Sequence, residues 1–213
     1  MGVSLLAVVA VAARRQAVLM QTASNLKWVG IALHQYHDQY GSFPPPVVYG
    51  QDRVAWYSWR ALIQPYLTPP NEPGEKFPDY EFSKPWDQQP SSQSELLKRY
   101  DNQPYQFLAV VGANAAWATD HGRSLSEIKD GTSDTILLIA IRKTGIKWHQ
   151  PVDASIKDGR LFLGDRQLDL SADVFMLTAD GGTMYFANGI DDGRLGSMLT
   201  IAAGDTVPDW SRE

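Results

Sequence analysis

The pattern of apolar positions predicts a long helix near the start of the chain. Apolar residues recur there at intervals of three and four, the period of one buried helix face. The stripe consists of Leu19, Leu26, Val29, Leu33, Tyr36 and Tyr40, with Lys27, His34 and Asp38 expected on the water-facing side. Gly41 follows where helices commonly end, and the prolines at 44–46 cannot continue a helix. The expected helix covers about 5–40 and is about 50 Å long.

The helix is predicted to begin with an almost entirely apolar segment at residues 3–13. A membrane-spanning helix needs about twenty such residues, and neither a basic stretch before the segment nor a cleavage site after it suggests a secretory signal. Three interpretations stay open: a buried or subunit-facing helix start, the remnant of a longer membrane anchor, or a helix lying in the lipid interface. Because so long a helix exceeds the reach of one small domain, its apolar end should need lipid or a partner.

Beyond residue 105 the apolar period shortens to that of strands. Short strands are predicted at 106–111, 134–141, 160–163, 173–177 and 183–186, with a hairpin turn at 180–182 and a closing helix or strand at 194–202. Short helices are expected after a Ser58 cap and over 91–99, and a surface loop at 68–76. Since no long helices separate the strands, the sheet should be mainly antiparallel and the fold class α+β. The expected division is a helix at 1–41 and a globular head at 42–213.

Composition narrows the possible functions. The chain of 213 residues has 44% hydrophobic and 20% charged residues, which favours a folded core over disorder. Its net charge of −5 disfavours nucleic acid as a partner. It has no cysteine, which excludes disulfides, thiolate metal sites and a cysteine nucleophile together.

No sequence motif assigns catalytic chemistry. The common nucleophile, zinc-protease and phosphate-loop patterns do not occur. His34 and His37 are three apart on the predicted helix, but no third ligand follows, so a polar helix flank explains them better than a metal pair. A hydrolase using His149 with Asp153 is a rival hypothesis, although Pro151 breaks any helix that would align them. The sequence therefore predicts no catalytic residue.

Two sets of residues remain as binding candidates. Four aspartates lie in glycine-containing turns near the C-terminus, where calcium could use hard oxygen ligands, although no EF-hand pattern is present. These calcium candidates are Asp180, Asp191, Asp192 and Asp205. Three tryptophans in turns could stack on a sugar ring or could equally fasten loops to the core. These stacking candidates are Trp56, Trp59 and Trp86.

Several segments, taken together and in order, resemble one known family. They are NLKWVGIALHQYHDQYGSFPPP, SWRALIQPYL, KPWD, FLAVVG, SLSEIKDGTSDTILLIA, IKWHQPVD, TADGGTMYF and LGSMLTIAAGD. The chain is similar over roughly 24–207 to bacterial pseudopilin-like proteins with a prepilin-type N-terminus. That family is catalogued as a domain of unknown function and is also labelled a solute-binding domain.

The resemblance implies a type IV pilin-like fold and a structural role. In such a fold the rear of the long helix packs on the sheet, and its front lies in the inner membrane or a filament core. The implied role is a non-enzymatic structural or accessory subunit of a pilus-like or type II secretion assembly in the cell envelope. Its partners would be other pilin-like subunits. The alternative is an envelope module that binds a solute or glycan through its aromatic loops.

The chain departs from the family pattern at two places. Members usually begin with a basic leader, a cleavage site, a nearby glutamate and about twenty apolar residues. Here only the apolar segment 3–13 is present, with no glutamate near it, so a soluble location is the expectation if the chain truly starts there. Many members also carry a histidine ten residues before the Asp-Gly turn. Leu170 occupies that position here, so a function of that histidine is not carried over.

Overall fold

The first helix is continuous. The computed structural model describes residues 5–67, 79–89, 95–142 and 144–202, and helix α1 covers Leu5–Tyr40 without a break. Its 36 residues correspond to about 54 Å at 1.5 Å per residue. The helix ends as predicted at Gly41, which has a φ of 79° and donates its N–H to the carbonyl of His37 at 2.7 Å.

The rest of the described chain is mostly short strands with a few short helices. The strands are β1 Val47–Tyr49, β2 Ala55–Ser58, β3 Tyr105–Val111, β4 Ile136–Arg142, β5 Ala154–Lys157, β6 Arg160–Leu163, β7 Arg166–Gln167, β8 Val174–Thr178 and β9 Thr183–Phe186. The α-helices are α2 Trp59–Leu62, α3 Glu95–Asn102 and α4 Asp192–Met198, with 3₁₀ turns at Gln64–Tyr66, Trp86–Gln88 and Leu125–Glu127.

The main sheet has seven strands in the order β7-β6-β5-β3-β4-β8-β9. Every neighbouring pair is antiparallel except β3 and β5, which pair in parallel through Val110 with Ala154 and Val111 with Ser155. Strands β1 and β2 form a separate antiparallel hairpin. The α+β class with a long first helix and a mainly antiparallel sheet is therefore confirmed.

The predicted helices and strands agree with the observed secondary structure only in part. All five predicted strands are present, Ser58 caps α2, and the segment 194–202 proves to be mostly helix α4. Strands β1, β2, β5 and β7, which have two to four residues each, were not predicted. The predicted loop at 68–76 lies outside the described residues, as do the first four residues of the helix expected over 91–99, whose remainder lies in α3.

The sheet separates two apolar cores. On one face the rear of α1 packs against β3, β4 and β8, with Leu26, Val29 and Leu33 fully buried and Leu19 partly buried. On the other face, residues of β3, β4, β5, β6 and β8 form a second cluster with Leu195 and Met198 of α4. Gly30 allows α1 to approach closely, because a Cβ there would lie 2.8 Å from Cδ1 of Leu177 in β8.

Candidate functional site

The front of α1, residues 7–17, is the largest exposed apolar region of the helix. Every residue from 7 to 17 is exposed, including Val8, Val9 and Val11 at 54–70%. Of the interpretations left open, burial of the helix start within its own domain does not hold for residues 7–13, whereas a subunit-facing start, a membrane-anchor remnant and a helix in the lipid interface stay open. A helix forms because its alanines, leucines and unbranched polar residues suit one, and no Gly or Pro interrupts residues 5–29.

A groove runs between this part of α1 and the edge of the sheet. It encloses about 740 Å³ and is lined on the helix side mainly by small and apolar residues. The sheet side is formed by Phe175 of β8 and by Tyr185 and Ala187 at β9. Among the described residues, β9 is the edge strand of the sheet, so the groove lies beside that edge.

One polar contact marks the point where α1 meets the sheet. The guanidinium of Arg15 donates to both carboxylate oxygens of Asp173 at 3.0 Å, and the hydroxyl of Tyr185 donates to the same carboxylate at 2.9 Å. Burial opposes ionisation of Asp173, but these two donors outweigh it and hold the pKa of the carboxyl below its usual value. Because the Arg15 side chain is 58% exposed, the ion pair should orient the helix more than it stabilises the fold.

Helix α1 and strand β8 run side by side in the same direction. Arg15 contacts Asp173 just before β8, Gly30 lies against Leu177, and His34 lies against Gly181 just after the strand. The nineteen residue steps from Arg15 to His34 rise about 28 Å, close to the span of eight extended steps, the number from Asp173 to Gly181. The part of α1 before Arg15 therefore continues past the start of β8.

The two histidines at the rear of α1 do not form a metal pair. Nε2 of His37 accepts the backbone N–H of Leu125 at 3.1 Å. His34 was expected to face water, but it is half-buried against Phe43 and Gly181, and its Nε2 has no hydrogen-bond partner among the described residues. Burial, followed by the proximity of His37, lowers the pKa of His34.

The predicted calcium ligands are not brought together. Asp180 accepts from Thr178 and the Gly182 N–H inside the β8–β9 turn, Asp191 caps α4 through the Arg194 N–H, and Asp192 pairs with Arg160 at 3.3 Å. Within the described ranges, no three His, Asp or Glu side chains lie close enough to hold a metal ion. The fourth candidate, Asp205, lies outside those ranges.

One of the three stacking candidates is in the core. Trp59 is fully buried, and its indole N–H donates to Asp153 at 3.2 Å, so the prediction that it could stack on a ligand is wrong. Trp56 is half-buried and donates to Asp52 at 3.1 Å, and Trp86 is half-buried in a 3₁₀ turn. Trp59 therefore anchors α2 in the core, whereas Trp56 bonds within its own hairpin.

A buried ion pair that no sequence motif predicts lies next to Trp59. Arg60 donates to Asp153 at 2.8 Å and to the carbonyl of Phe107 at 2.6 Å, and both charged side chains are at most 5% exposed. Burial raises the pKa of Asp153, while Arg60 and the Ala109 N–H oppose that rise. The only sign of this ion pair in the sequence is Arg60, an arginine between apolar residues in the first turn of the helix that Ser58 caps.

The proposed His149 dyad is not formed. Nε2 of His149 lies 3.0 Å from Oε1 of Gln64, and the imidazole ring packs on Tyr80. Asp153 binds Arg60 instead. Burial, together with the nearby Arg60 charge, lowers the pKa of His149 to about 4. Among the described residues, the neutral, enclosed imidazole of His149 has no carboxylate partner, which is typical of a structural residue. The geometry that the hydrolase hypothesis requires is not formed there.

Comparisons with known proteins identify one similarity. Residues 11–114 match the family SBP_bac_10, described as a protein of unknown function (DUF1559). The matched region is just under half of the chain and contains most of α1, the β1–β2 hairpin and β3. No curated protein and no solved structure shows a significant match. In the described part of the chain, no helix combines the length and the apolar character needed to cross a membrane.

Proposed function

We propose that this protein is a non-enzymatic, pilin-like structural or accessory subunit of a cell-envelope assembly, of the pilus-like or type II secretion kind. One observation carries the proposal: α1 is one continuous helix whose rear is embedded in the head and whose front is exposed and apolar. A continuous rod of that kind transmits a contact at its front directly to the folded head. The envelope location and the identity of the other subunits belong to the same proposal.

The exposed valines supply a driving force for association. Burial of apolar surface contributes about 25 cal/mol per Å², and a fully buried valine contributes about 1.5–3 kcal/mol relative to an exposed one. Val8, Val9 and Val11 are at least half exposed, so this free energy is available to a partner. Association entropy and side-chain ordering offset part of it.

Binding of a solute or glycan is less well supported. Trp59 is enclosed by the core, and the half-buried Trp56 hydrogen-bonds within its own hairpin. The groove beside β9 is an open cleft along a helix and contains none of the three tryptophans. The apolar front of α1 is therefore the better-supported interaction surface.

Cross-linking of single cysteines tests the assembly role. The chain has no cysteine of its own, so Val11→Cys introduces a single thiol at the front of α1. Asp165→Cys, at a fully exposed position in the β6–β7 turn, is the matched control. With a photoreactive cross-linker attached to the single thiol of the purified full chain, we expect Val11→Cys to give cross-linked dimers and Asp165→Cys to stay monomeric.

The proposal fails if the two variants cross-link equally or not at all at high protein concentration. Sedimentation velocity of the unmodified protein provides the second measurement. We expect species larger than the monomer that disappear in Val11→Asp, because a carboxylate in an apolar helix contact has no partner. A glycan or other solute that protected Val11→Cys from alkylation would instead favour the binding-module alternative.

A further inference from the structure

Charge is distributed unevenly along α1 and the head. Residues 1–37 contain three basic side chains, Arg14, Arg15 and Lys27, and no aspartate or glutamate, so all 24 acidic residues of the chain follow. Arg15 is paired with Asp173, whereas Arg14 is exposed and has no ion-pair partner among the described residues. Arg14 lies one turn after Val11, so the two share a helix face. The front of α1 thus combines an apolar patch with an unpaired positive charge.

The opposite end of the molecule presents carboxylates. Asp38 is exposed in the last turn of α1. Asp180 is exposed in the β8–β9 turn, whose Gly181 contacts His34 of α1. Asp120 is 82% exposed and precedes Gly122, which packs against the segment directly after α1. The β8–β9 turn and the segment around Asp120 therefore fold onto the rear of α1 and form an acidic surface with Asp38.

The position of Asp38 is unfavourable for its own helix. A carboxylate in the last turn of a helix meets the negative end of the macrodipole, which costs about 0.3–1 kcal/mol. Among the described residues, Asp38 has no ion-pair partner that would compensate. Asp38 is therefore available to a positive charge on another molecule.

We infer that the exposed front of α1 docks onto the acidic rear surface of a second copy of this chain, in a head-to-tail arrangement. This inference rests on the proposed function and specifies its partner and polarity. Charge complementarity selects the occupant, because the apolar front of α1 carries Arg14 and the rear surface around Asp38 carries the opposite charge. Arg14 and Asp38 are about 36 Å apart along the helix, so their surfaces cannot meet within one molecule.

A head-to-tail contact of this kind uses two different surfaces. Each copy then has one surface of each type free, so addition of copies continues unless the rotation closes a ring. Assembly should therefore proceed past the dimer as concentration rises. It should also weaken with salt, since charges at a surface are screened over about 8 Å at physiological ionic strength.

Complementary charge reversal tests the inference on the full-length chain. Arg14→Glu reverses the front and Asp38→Lys reverses the rear, while Asp165→Lys makes the same charge change in the remote β6–β7 turn. We expect each of the first two variants alone to associate about tenfold or more weakly in sedimentation velocity. An equimolar mixture of the two should recover association, because reversed front then meets reversed rear. Asp165→Lys should behave as the unmodified protein.

The outcomes separate this inference from the proposed function. If Val11→Asp abolishes assembly while Arg14→Glu and Asp38→Lys leave it unchanged, the helix is an assembly element but the acidic surface is not its partner. If the mixture stays dissociated, the head-to-tail pairing is overturned as well. If the unmodified chain never associates, both ideas fail. Circular dichroism of each variant shows that it is folded, and Asp38→Lys should if anything stabilise α1.

Discussion

The front and rear of α1 belong to one helix but have opposite environments. Residues 7–17 are all exposed, whereas Leu26, Val29 and Leu33 are fully buried against the sheet. Both segments are apolar, so hydrophobicity alone does not separate them. The rear has its apolar residues on one face that the sheet covers, while the front is apolar on several faces and extends beyond β8. The helical periodicity of the apolar residues therefore indicates which segment of α1 the sheet can bury.

The largest expected effect concerns the free energy of unfolding when an apolar side chain is shortened at the rear or at the front of α1. Leu33→Ala should lower the free energy of unfolding by about 2–5 kcal/mol, because it leaves a cavity between α1 and the sheet. Val11→Ala should change it by no more than about 0.5 kcal/mol, because the side chain contacts mainly water. Chemical denaturation monitored by tryptophan fluorescence measures both. Equal effects at the two positions would mean that the front is also packed within the monomer.

The next prediction concerns acid, which should weaken the packing at the rear of α1 rather than at its front. The pKa of His34 is lowered by burial, so below its ordinary value of 6.5 the unfolded chain binds a proton that the native state does not. The free energy of unfolding should therefore fall as the pH drops below 6.5. His149 contributes in the same direction down to about pH 4.

His34→Gln isolates the contribution of the helix. In this variant the loss of stability between pH 7.5 and 5.5 should be smaller than in the unmodified protein, with the His149 contribution left in place. Denaturation curves at the two pH values provide the comparison. An unchanged loss would show that His34 is solvated in the native state.

The smallest expected effect concerns Arg15, at the boundary between the two regions. Arg15→Gln should cost less than about 1 kcal/mol, because the guanidinium is largely exposed and its ion pair is screened. High salt should reduce the difference between variant and unmodified protein. A loss of several kcal/mol in thermal or chemical unfolding would instead place Arg15 among the residues that hold the head together.

Much of the fold was predictable because its evidence is local. The helix, its end at Gly41, the five predicted strands and the Ser58 cap depend on neighbouring residues and on periods of two or 3.6. The candidate site was predictable only as an apolar segment at the helix start. Its groove needs Arg15 beside Asp173 and Tyr185, residues about 160 positions away, and no spacing rule connects them. The stacking prediction for Trp59 failed for the same reason, since the sequence does not show that this side chain is enclosed.

By itself, the sequence determined that a long helix with one buried stripe precedes an antiparallel α+β head. It did so because hydrophobic periodicity and turn residues act over a few positions. Only the tertiary structure decided how far the sheet extends along the helix, and so where the exposed front begins. It also placed Arg60 against Asp153, β5 parallel to β3, and the carboxylates around Asp38. These arrangements arise from contacts between distant segments, which are fixed by packing rather than by local preference.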